Sequence, residues 1–359
     1  ENLPETYSGD DIGRITKGAA LTLKADMYLD MASYAKFHHN QDGTELWKEA
    51  AQSAKKVIDM NLYSLEDDFA SIFKSAANNN NKEVILAYQY KEDEITHMLQ
   101  ILASPAGTGI TGQGWASFCP TRQLVDSYEM TDGKTIFESD LYDMNNPWEN
   151  RDARLKKTFF LPGYECLRPN GSYEPYMPHP AYNKNERINH EGGGITGYMY
   201  LKYNYQELVK PDASWTNFSL YRYAEVLLIY AEALNEYDPG NPQIAWAANQ
   251  VRGRAGLPGV DQLTGNQVSM REKIREERRH EFVAEHKRYF DILRWKTAEK
   301  VLNEPGYGIN KDEKAPIGDY SVEQFLGQNR TFDASKHYLW PIPQSARDKN
   351  PNLGQNPNW

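Results

Sequence analysis

The sequence predicts a mainly α-helical fold, in which a tetratricopeptide-like scaffold of helical hairpins carries a large, irregular, loop-rich part and a few short strands. Three observations predict it. Apolar residues recur at helical spacing in two blocks, approximately residues 13–60 and 220–300. Alanines within these helices permit close helix approach, as in helical repeats. Between the blocks, approximately residues 91–219 are rich in Gly, Pro, Asn and Tyr and lack helical periodicity.

The first block predicts a helical hairpin, with helices over 13–34 and 45–60 joined by a turn at 40–43. In the first helix one apolar stripe is expected to face the core: Ala19, Ala20, Leu23, Met27 and Tyr34. In the second helix the apolar residues also follow helical spacing: Trp47, Ala50, Ala51, Ala54, Val57 and Ile58.

The second block predicts another hairpin and a long third helix. Helices are expected over 220–235 and 243–255, because Pro239 and Gly256 follow them closely. The third helix is expected over 269–300, with a break near 286–289. Ser269 is the expected N-cap, paired with Glu272 in a capping box.

Strands and loops occupy the remaining chain. Short strands are predicted at 83–90 and 198–205 from their β-branched and aromatic residues. Because long loops inside a compact domain are usually functional, we expect the ligand-binding part at approximately 91–219. Residues 303–359 are expected to wrap irregularly over the helices. No linker divides residues 1–359, so a single domain is expected.

Composition narrows the classes of function. The chain has 50 acidic and 40 basic side chains, a net charge of −10, which argues against nucleic-acid binding. Cys119 and Cys166 belong to no CxxC or Cys/His cluster, and whether they pair stays open. No apolar run reaches the length of a membrane span. The chain starts at Glu1 without a visible leader, so we expect a mature or trimmed fragment.

Motifs for catalysis or cofactor binding are not evident. The second His of segment 280–286 falls at i+6 rather than i+4, which is incompatible with a metalloprotease helix. The glycines at 192–194 lack the Lys-Ser/Thr of a phosphate loop. No two carboxylates are singled out as a glycosidase pair. Asp140, Asp143 and Asn145 could hold calcium, although their spacing misses an EF-hand. We therefore expect a non-enzyme without a cofactor.

Six segments, in order, resemble the SusD/RagB family of nutrient-binding outer-membrane lipoproteins. They are residues 13–20, 120–133, 150–155 (with Ala153 where the family usually has Pro), 221–235, 274–295 (with His286 where a Gly is common), and 340–357. Any one of them is weak evidence, but together they cover nearly the whole chain. The resemblance implies that an N-terminal section with a lipidated Cys normally precedes residues 13–20.

The same resemblance implies a function. Members bind glycans, or peptides in the RagB branch, and pass them without catalysis to a SusC-like TonB-dependent porter at the cell surface. The lipid anchor and part of the helical scaffold are expected outside this chain. Charged residues of the signature segments are expected to maintain the fold: Arg222, Glu225, Glu232, Arg275, Arg278, Glu281, Asp291 and Arg294.

Ligand binding is expected in the loops, where an aromatic ring can cover the C–H face of a pyranose. Glycines surround Trp115 and leave its indole uncovered by neighbouring side chains, whereas amides flank Trp148. The predicted contacts are Trp115, Trp148, Phe118, Asn145, Asn146, Trp215 and Tyr142, with weaker candidates at His97, Met98, Tyr173 and Tyr176. Each Trp could instead anchor its loop to the scaffold. Arg122 is expected to pair with Asp126, one helical turn away.

Three alternatives to glycan binding remain open at this point. A peptide-binding site would rely on polar groups that match a backbone. A helical-repeat scaffold for protein partners would show an apolar groove along its helices. A hydrolase would need two converging carboxylates.

Overall fold

The computed structural model describes residues 2–179, 181, 194–204, 206–261, 266–310, 312–316, 318–319 and 330–359. Gly192, Gly193 and Tyr205, which belong to predicted turns or strands, lie outside these residues. The predicted mainly helical class is confirmed. Within the described residues, no helix is long and apolar enough to cross a membrane.

The first hairpin consists of α1 (Lys17–Ser33), a π-helical turn (Tyr34–His38) and α2 (Thr44–Asp59). Thr16 caps α1, since its hydroxyl accepts a hydrogen bond from Ala19 N at 3.2 Å. Fully buried alanines at the interface keep the two helices close, as predicted: Ala25, Ala32, Ala50, Ala51 and Ala54.

The predicted core stripe of α1 is wrong in part, because Leu23 and Met27 are exposed. The buried face carries Ala25, Leu29 and Ala32 instead. Small side chains occupy the buried face because they allow α2 to pack closely against α1. Two hydroxyls can also be buried there, since Thr22 and Ser33 donate to carbonyls one turn earlier in the same helix, at 2.9 and 2.8 Å.

The second hairpin is α6 (Tyr223–Tyr237) and α7 (Gln243–Arg254). Helix α6 is central, because every residue from Ala224 to Glu236 is buried. The helix was predicted to start at 220, but residues 218–222 form a strand. Extended backbone there lets Arg222 reach three buried carboxylates, those of Glu83, Glu281 and Glu285.

The predicted third helix divides into α8 (Gln267–Glu281), α9 (Arg288–Arg294) and α10 (Ala298–Val301). The break expected near 286–289 lies at 282–287, and a second break, at 295–297, was not predicted. Ala284 and His286 both have φ of +61° and turn the chain between α8 and α9. The predicted N-cap Ser269 is wrong. Asn266 caps α8, because its side-chain oxygen accepts from Ser269 N at 3.3 Å.

Three two-stranded antiparallel sheets complete the described fold. β1 (Val84–Tyr88) pairs with β6 (Phe218–Arg222), β2 (Phe159–Phe160) with β5 (Met199–Tyr200), and β3 (Glu165–Leu167) with β4 (Tyr173–Pro175). The predicted strand at 198–205 is therefore much shorter than expected. Short helices lie in the loop-rich part and the tail: α3 (Leu99–Ala103), α4 (Arg122–Ser127), α5 (Leu155–Thr158) and α11 (Gln344–Lys349).

A buried ion-pair network joins the loop-rich part to the helices. Arg154 Nη1 contacts Glu277 and Glu281 of α8 at 2.5 and 2.9 Å, and its Nη2 contacts Asp152 at 2.7 Å. Lys202 bonds to Glu285 at 2.5 Å. The signature charges assigned to fold maintenance are buried, as expected: Arg222, Glu225, Glu232, Arg275, Arg278, Glu281, Asp291 and Arg294. Such pairs are costly to break one partner at a time.

Candidate functional site

The loop that carries Trp115 is fixed to helix α3 by its backbone. Trp115 N donates to Ile101 O at 2.8 Å, Ala116 N to Ser104 O at 3.0 Å, and Ser117 N to Leu102 O at 2.9 Å. These hydrogen bonds fix the loop to the C-terminal end of α3. Its side chains are therefore presented from a rigid backbone, although the sequence around them is that of a flexible segment.

Gly114 explains why this loop can lie so close to its neighbour. A Cβ at this position would lie 2.3 Å from Pro105 O and 2.5 Å from Ser104 O. The next turn is unusual as well, because Ala116 has a φ of +48°. The glycine thus serves close backbone packing and does not make the loop mobile.

Trp115 and Phe118 project from this loop into solvent. Trp115 is 54% exposed and Phe118 is 43% exposed. The predicted exposure of the Trp115 indole is therefore confirmed, whereas ligand contact by either ring remains a prediction. An exposed ring on a fixed backbone can stack on a ligand with little loss of conformational entropy.

Trp148 lies on a second loop and is held more firmly. Its indole Nε1 donates to Pro162 O at 2.9 Å, and its ring meets Tyr198 edge-on at a centroid distance of 6.1 Å. The residue is half-buried, so the anchoring alternative describes much of its role. Its remaining surface lines a cavity of about 320 Å³, together with Asn145, Asn146, Pro147, Glu149, Lys156, Leu161, Pro162, Gly163 and Tyr164.

The amides beside Trp148 are exposed and partly engaged. Asp143 accepts hydrogen bonds from Asn145 N at 2.9 Å and from Asn146 Nδ2 at 2.7 Å. The Asn146 side chain and the Asn145 backbone thereby hold the pKa of Asp143 below its ordinary value. The described residues include no group of three or more His, Cys, Asp or Glu side chains placed to hold a metal ion.

The other predicted site residues are dispersed. Tyr142 is half-buried and donates from its hydroxyl to Gly318 O at 2.8 Å. Trp215 is half-buried, and its backbone carbonyl oxygen accepts a hydrogen bond from Asn78 Nδ2 at 2.7 Å. Tyr173 is exposed on β4, whereas Tyr176 is fully buried. Tyr176 was a weaker candidate for ligand contact, and it belongs to the core instead, beside Phe160.

Arg122 is buried beside the loop that carries Tyr142, because both side chains bond to the carbonyl oxygen of Gly318. Arg122 Nε donates to Asp126 Oδ2 at 2.9 Å, which confirms the predicted pair. Arg122 Nη2 also reaches Gly318 O at 3.4 Å, the atom that accepts from Tyr142. Burial raises the pKa of the Asp126 carboxyl, and Arg122 opposes that shift.

Sequence reasoning missed one wall of the cavity beside Trp148. Lys156, Gly163 and Tyr164 line it, but no local pattern marks them as neighbours of Trp148. The turn signal Pro162-Gly163 was visible in the sequence, although its contact with Trp148 depends on the tertiary fold.

Comparisons with known proteins agree with this architecture. Residues 71–359 match the sequence profile of the SusD family. SusD-like protein P2 of Formosa agariphila is 27% identical over 335 residues, covering 86% of this chain and 55% of that protein. A SusD-like protein of Bacteroides ovatus is 26% identical over 392 residues, covering 99% of this chain and 63% of that protein. This chain therefore spans less than two thirds of either relative.

Solved structures give the same result. A SusD-like carbohydrate-binding protein from Bacteroides fragilis superposes with a TM-score of 0.82 at 28% identity, covering 98% of this chain and 68% of that chain. Another SusD-like protein from the same species gives a TM-score of 0.78 at 26% identity, covering 99% and 68%. The profile match, these similarities and the helical scaffold with its loop-rich insert lead to one conclusion: the chain belongs to the SusD family.

Proposed function

We propose that this protein is a non-catalytic glycan-binding protein of the cell surface. In this proposal, a lipid anchor outside the chain holds it at the outer membrane, and it hands oligosaccharides to a SusC-like TonB-dependent porter. One observation carries the proposal: Trp115 and Phe118 are large, exposed aromatic side chains on a loop fixed by backbone hydrogen bonds.

The physical chemistry of sugars suits such a surface. A pyranose has an apolar C–H face, and covering about 100 Å² of it contributes roughly 2.5 kcal/mol before the costs of association. Side-chain amides such as those of Asn145 and Asn146 can form hydrogen bonds with the hydroxyl groups around the sugar ring. One such contact gives weak binding, and a polymer that engages several contacts gains affinity through effective concentration.

The relatives support a carbohydrate ligand. One similar solved structure is that of a protein named as carbohydrate binding, at 28% identity. Proteins named surface glycan-binding protein A, from Bacteroides uniformis for example, share the fold with a TM-score of 0.63. At 24% identity that likeness concerns architecture alone. We propose the porter, the anchor and the absence of catalysis on the strength of the family resemblance.

Affinity electrophoresis against a panel of soluble polysaccharides tests this function, using the full-length protein. Trp115→Ala should weaken the retarding interaction by at least about tenfold, because the platform ring is lost. Trp246→Ala is the matched control, since Trp246 is an exposed indole on α7 of the helical scaffold. It should leave retardation unchanged.

Three outcomes would contradict parts of the proposal. Release of reducing sugar from a retarding glycan would make the protein an enzyme. Binding to peptides but to no glycan would favour the RagB-type alternative. Equal retardation of wild type and Trp115→Ala would exclude Trp115 from the site.

A further inference from the structure

Two oppositely charged side chains lie together on the wall of the cavity beside Trp148. Glu149 and Lys156 both line this cavity, and Lys156 Nζ lies 2.7 Å from Glu149 Oε1. The Glu149 side chain is 66% exposed and that of Lys156 is 49% exposed. An ion pair as open as this one contributes little to stability. Both of its groups are accessible to a ligand that enters the cavity.

Backbone contacts fix both sides of this ion pair. Lys156 lies in the first turn of α5, directly after Leu155, which is fully buried. Glu149 follows Trp148, whose indole is bonded to the opposite wall of the cavity. Glu149 N also donates to Asn146 O at 3.1 Å. A ligand that binds here therefore has to order the two charged side chains but not the backbone that carries them.

The pair presents a hydrogen-bond donor and an acceptor side by side. An ammonium group has three donors, and each carboxylate oxygen accepts more than one hydrogen bond, so each group can keep its partner and still bind a ligand. Two hydroxyl groups on neighbouring carbons of a sugar ring have a separation similar to that of Lys156 Nζ and Glu149 Oε1. One hydroxyl can donate to Glu149 while the other accepts from Lys156. Hydrogen bonds to charged groups are stronger than those between neutral groups.

The charge around the cavity favours a neutral sugar over an acidic one. Among the described residues, Lys156 is the only basic side chain that lines the cavity. Glu149 lines it as well, and Asp143 lies next to it, since Asp143 Oδ2 accepts from Asn146 Nδ2 at 2.7 Å. Two carboxylates therefore act against one ammonium group. The carboxylate of an acidic sugar would be repelled here, whereas hydroxyl groups would not.

The size and the support of the cavity suit one sugar residue of a longer glycan. Its volume of about 320 Å³ is at the lower end of the range for small-molecule pockets, about 300–1,000 Å³. Tyr164 on its wall packs edge-on against Phe160 at a centroid distance of 5.4 Å. Both belong to the apolar cluster that contains Ala116, the residue after Trp115. The cavity and the Trp115 loop therefore rest on one apolar cluster.

We propose that the Lys156–Glu149 pair determines sugar specificity, because it recognises two neighbouring hydroxyl groups of one neutral sugar residue in the cavity beside Trp148. This inference rests on the proposed glycan-binding function and names the class of glycan. The glycan is neutral and contains residues with two adjacent free hydroxyl groups. Stacking on Trp115 selects little between sugars, since many pyranoses have an apolar C–H face. The ion pair supplies the selection between them.

Affinity electrophoresis of the full-length protein tests the inference with neutral polysaccharides (amylopectin, galactomannan and xyloglucan) and with polygalacturonate as the acidic probe. Lys156→Gln and Glu149→Gln should each weaken binding to the retarding neutral polysaccharide by about tenfold or more, because each removes half of the two-point contact. Glu149→Gln should also increase retardation by polygalacturonate, since it removes a repelling charge and leaves Lys156 unpaired. Lys157→Gln is the matched control, because Lys157 pairs with Asp68 at 2.9 Å with similar exposure and does not line the cavity.

The outcomes separate this inference from the proposed function. Unchanged Tm and circular dichroism in the three variants would show that any loss of binding is local to the cavity. Retardation by a neutral polysaccharide that persists in both Lys156→Gln and Glu149→Gln would overturn the inference and leave the glycan-binding function intact. Retardation of the wild type by polygalacturonate alone would also overturn it, because the glycan would then be acidic. No retardation by any polysaccharide would contradict the proposed function, and the inference with it.

Discussion

Arg154 Nη1 donates a hydrogen bond to Glu281 Oε2 at 2.9 Å, across 127 residues of sequence. Both side chains are buried, and the pair connects the loop-rich part to α8. The position of the segment 150–155 therefore depends on charges inside the helical scaffold. Arg154 belongs to the segment 150–155 that resembles a family signature, and its contacts explain why that segment carries charge.

Replacing Arg154 by Met should destabilise the protein by about 3–5 kcal/mol, because Asp152, Glu277 and Glu281 would keep their charges in a buried site without this partner. Urea unfolding measures the change. Lys156→Met is the control, since Lys156 pairs with Glu149 at the surface and should cost less than about 1 kcal/mol. If Arg154→Met also lowers the free energy of unfolding by less than about 1 kcal/mol, the buried network contributes little to stability.

Gly114→Ala should disrupt the Trp115 loop, because the added Cβ would meet Pro105 O at 2.3 Å. We expect weaker glycan binding and an altered near-ultraviolet circular dichroism signal, with α-helical content retained. Gly240→Ala is the matched control, since no atom lies within 4 Å of its Cβ position. A Gly114→Ala protein with wild-type binding would mean that the loop adapts without moving its rings.

Glu225 should make the protein less stable as the pH rises. Burial raises its pKa from 4.5 to about 6, with Lys287 opposing the shift. The folded state therefore holds this proton more tightly than the unfolded state, and the stability it contributes is complete below about pH 4.5 and is lost as the pH rises through 6. The difference is about 2 kcal/mol.

The Glu225→Gln variant checks this dependence, since Gln cannot titrate. Its free energy of unfolding, measured in urea between pH 4.5 and 7.5, should lack the wild-type decline of about 2 kcal/mol. Parallel pH profiles for the two proteins would assign the decline to other groups.

Ala284→Gly should stabilise the protein by about 0.5–1 kcal/mol, because glycine adopts the φ of +61° at this turn without a steric penalty. Ala20→Gly, inside the right-handed helix α1, should destabilise it by about 1 kcal/mol. Thermal unfolding measures both effects: Tm should rise for Ala284→Gly and fall for Ala20→Gly. If Ala284→Gly also destabilises the protein, the packing of the Ala284 methyl group contributes more to stability than the strain of its positive φ costs.

Local chemistry in the sequence was enough to predict several features of this protein. Helical spacing and turn residues located both hairpins and the break after α8, because these depend on contacts within one or two turns. The Arg122–Asp126 pair was predictable for the same reason, since its partners are one turn apart. Glycines around Trp115 indicated an uncovered indole, and the indole is exposed.

Other features were decided only by tertiary packing. Which side of α1 is buried depended on where the alanines allow α2 to approach, so the stripe of Leu23 and Met27 was misassigned. Residues 220–222 were predicted as the start of a helix but belong to strand β6, because pairing with β1 and the buried carboxylates around Arg222 outweigh local helical preference. The rigidity of the Trp115 loop and the walls of the cavity beside Trp148 come from hydrogen bonds between segments that are distant or irregular in sequence. Sequence periodicity reports which residues can face the same way, whereas only the packed neighbours determine which face is covered.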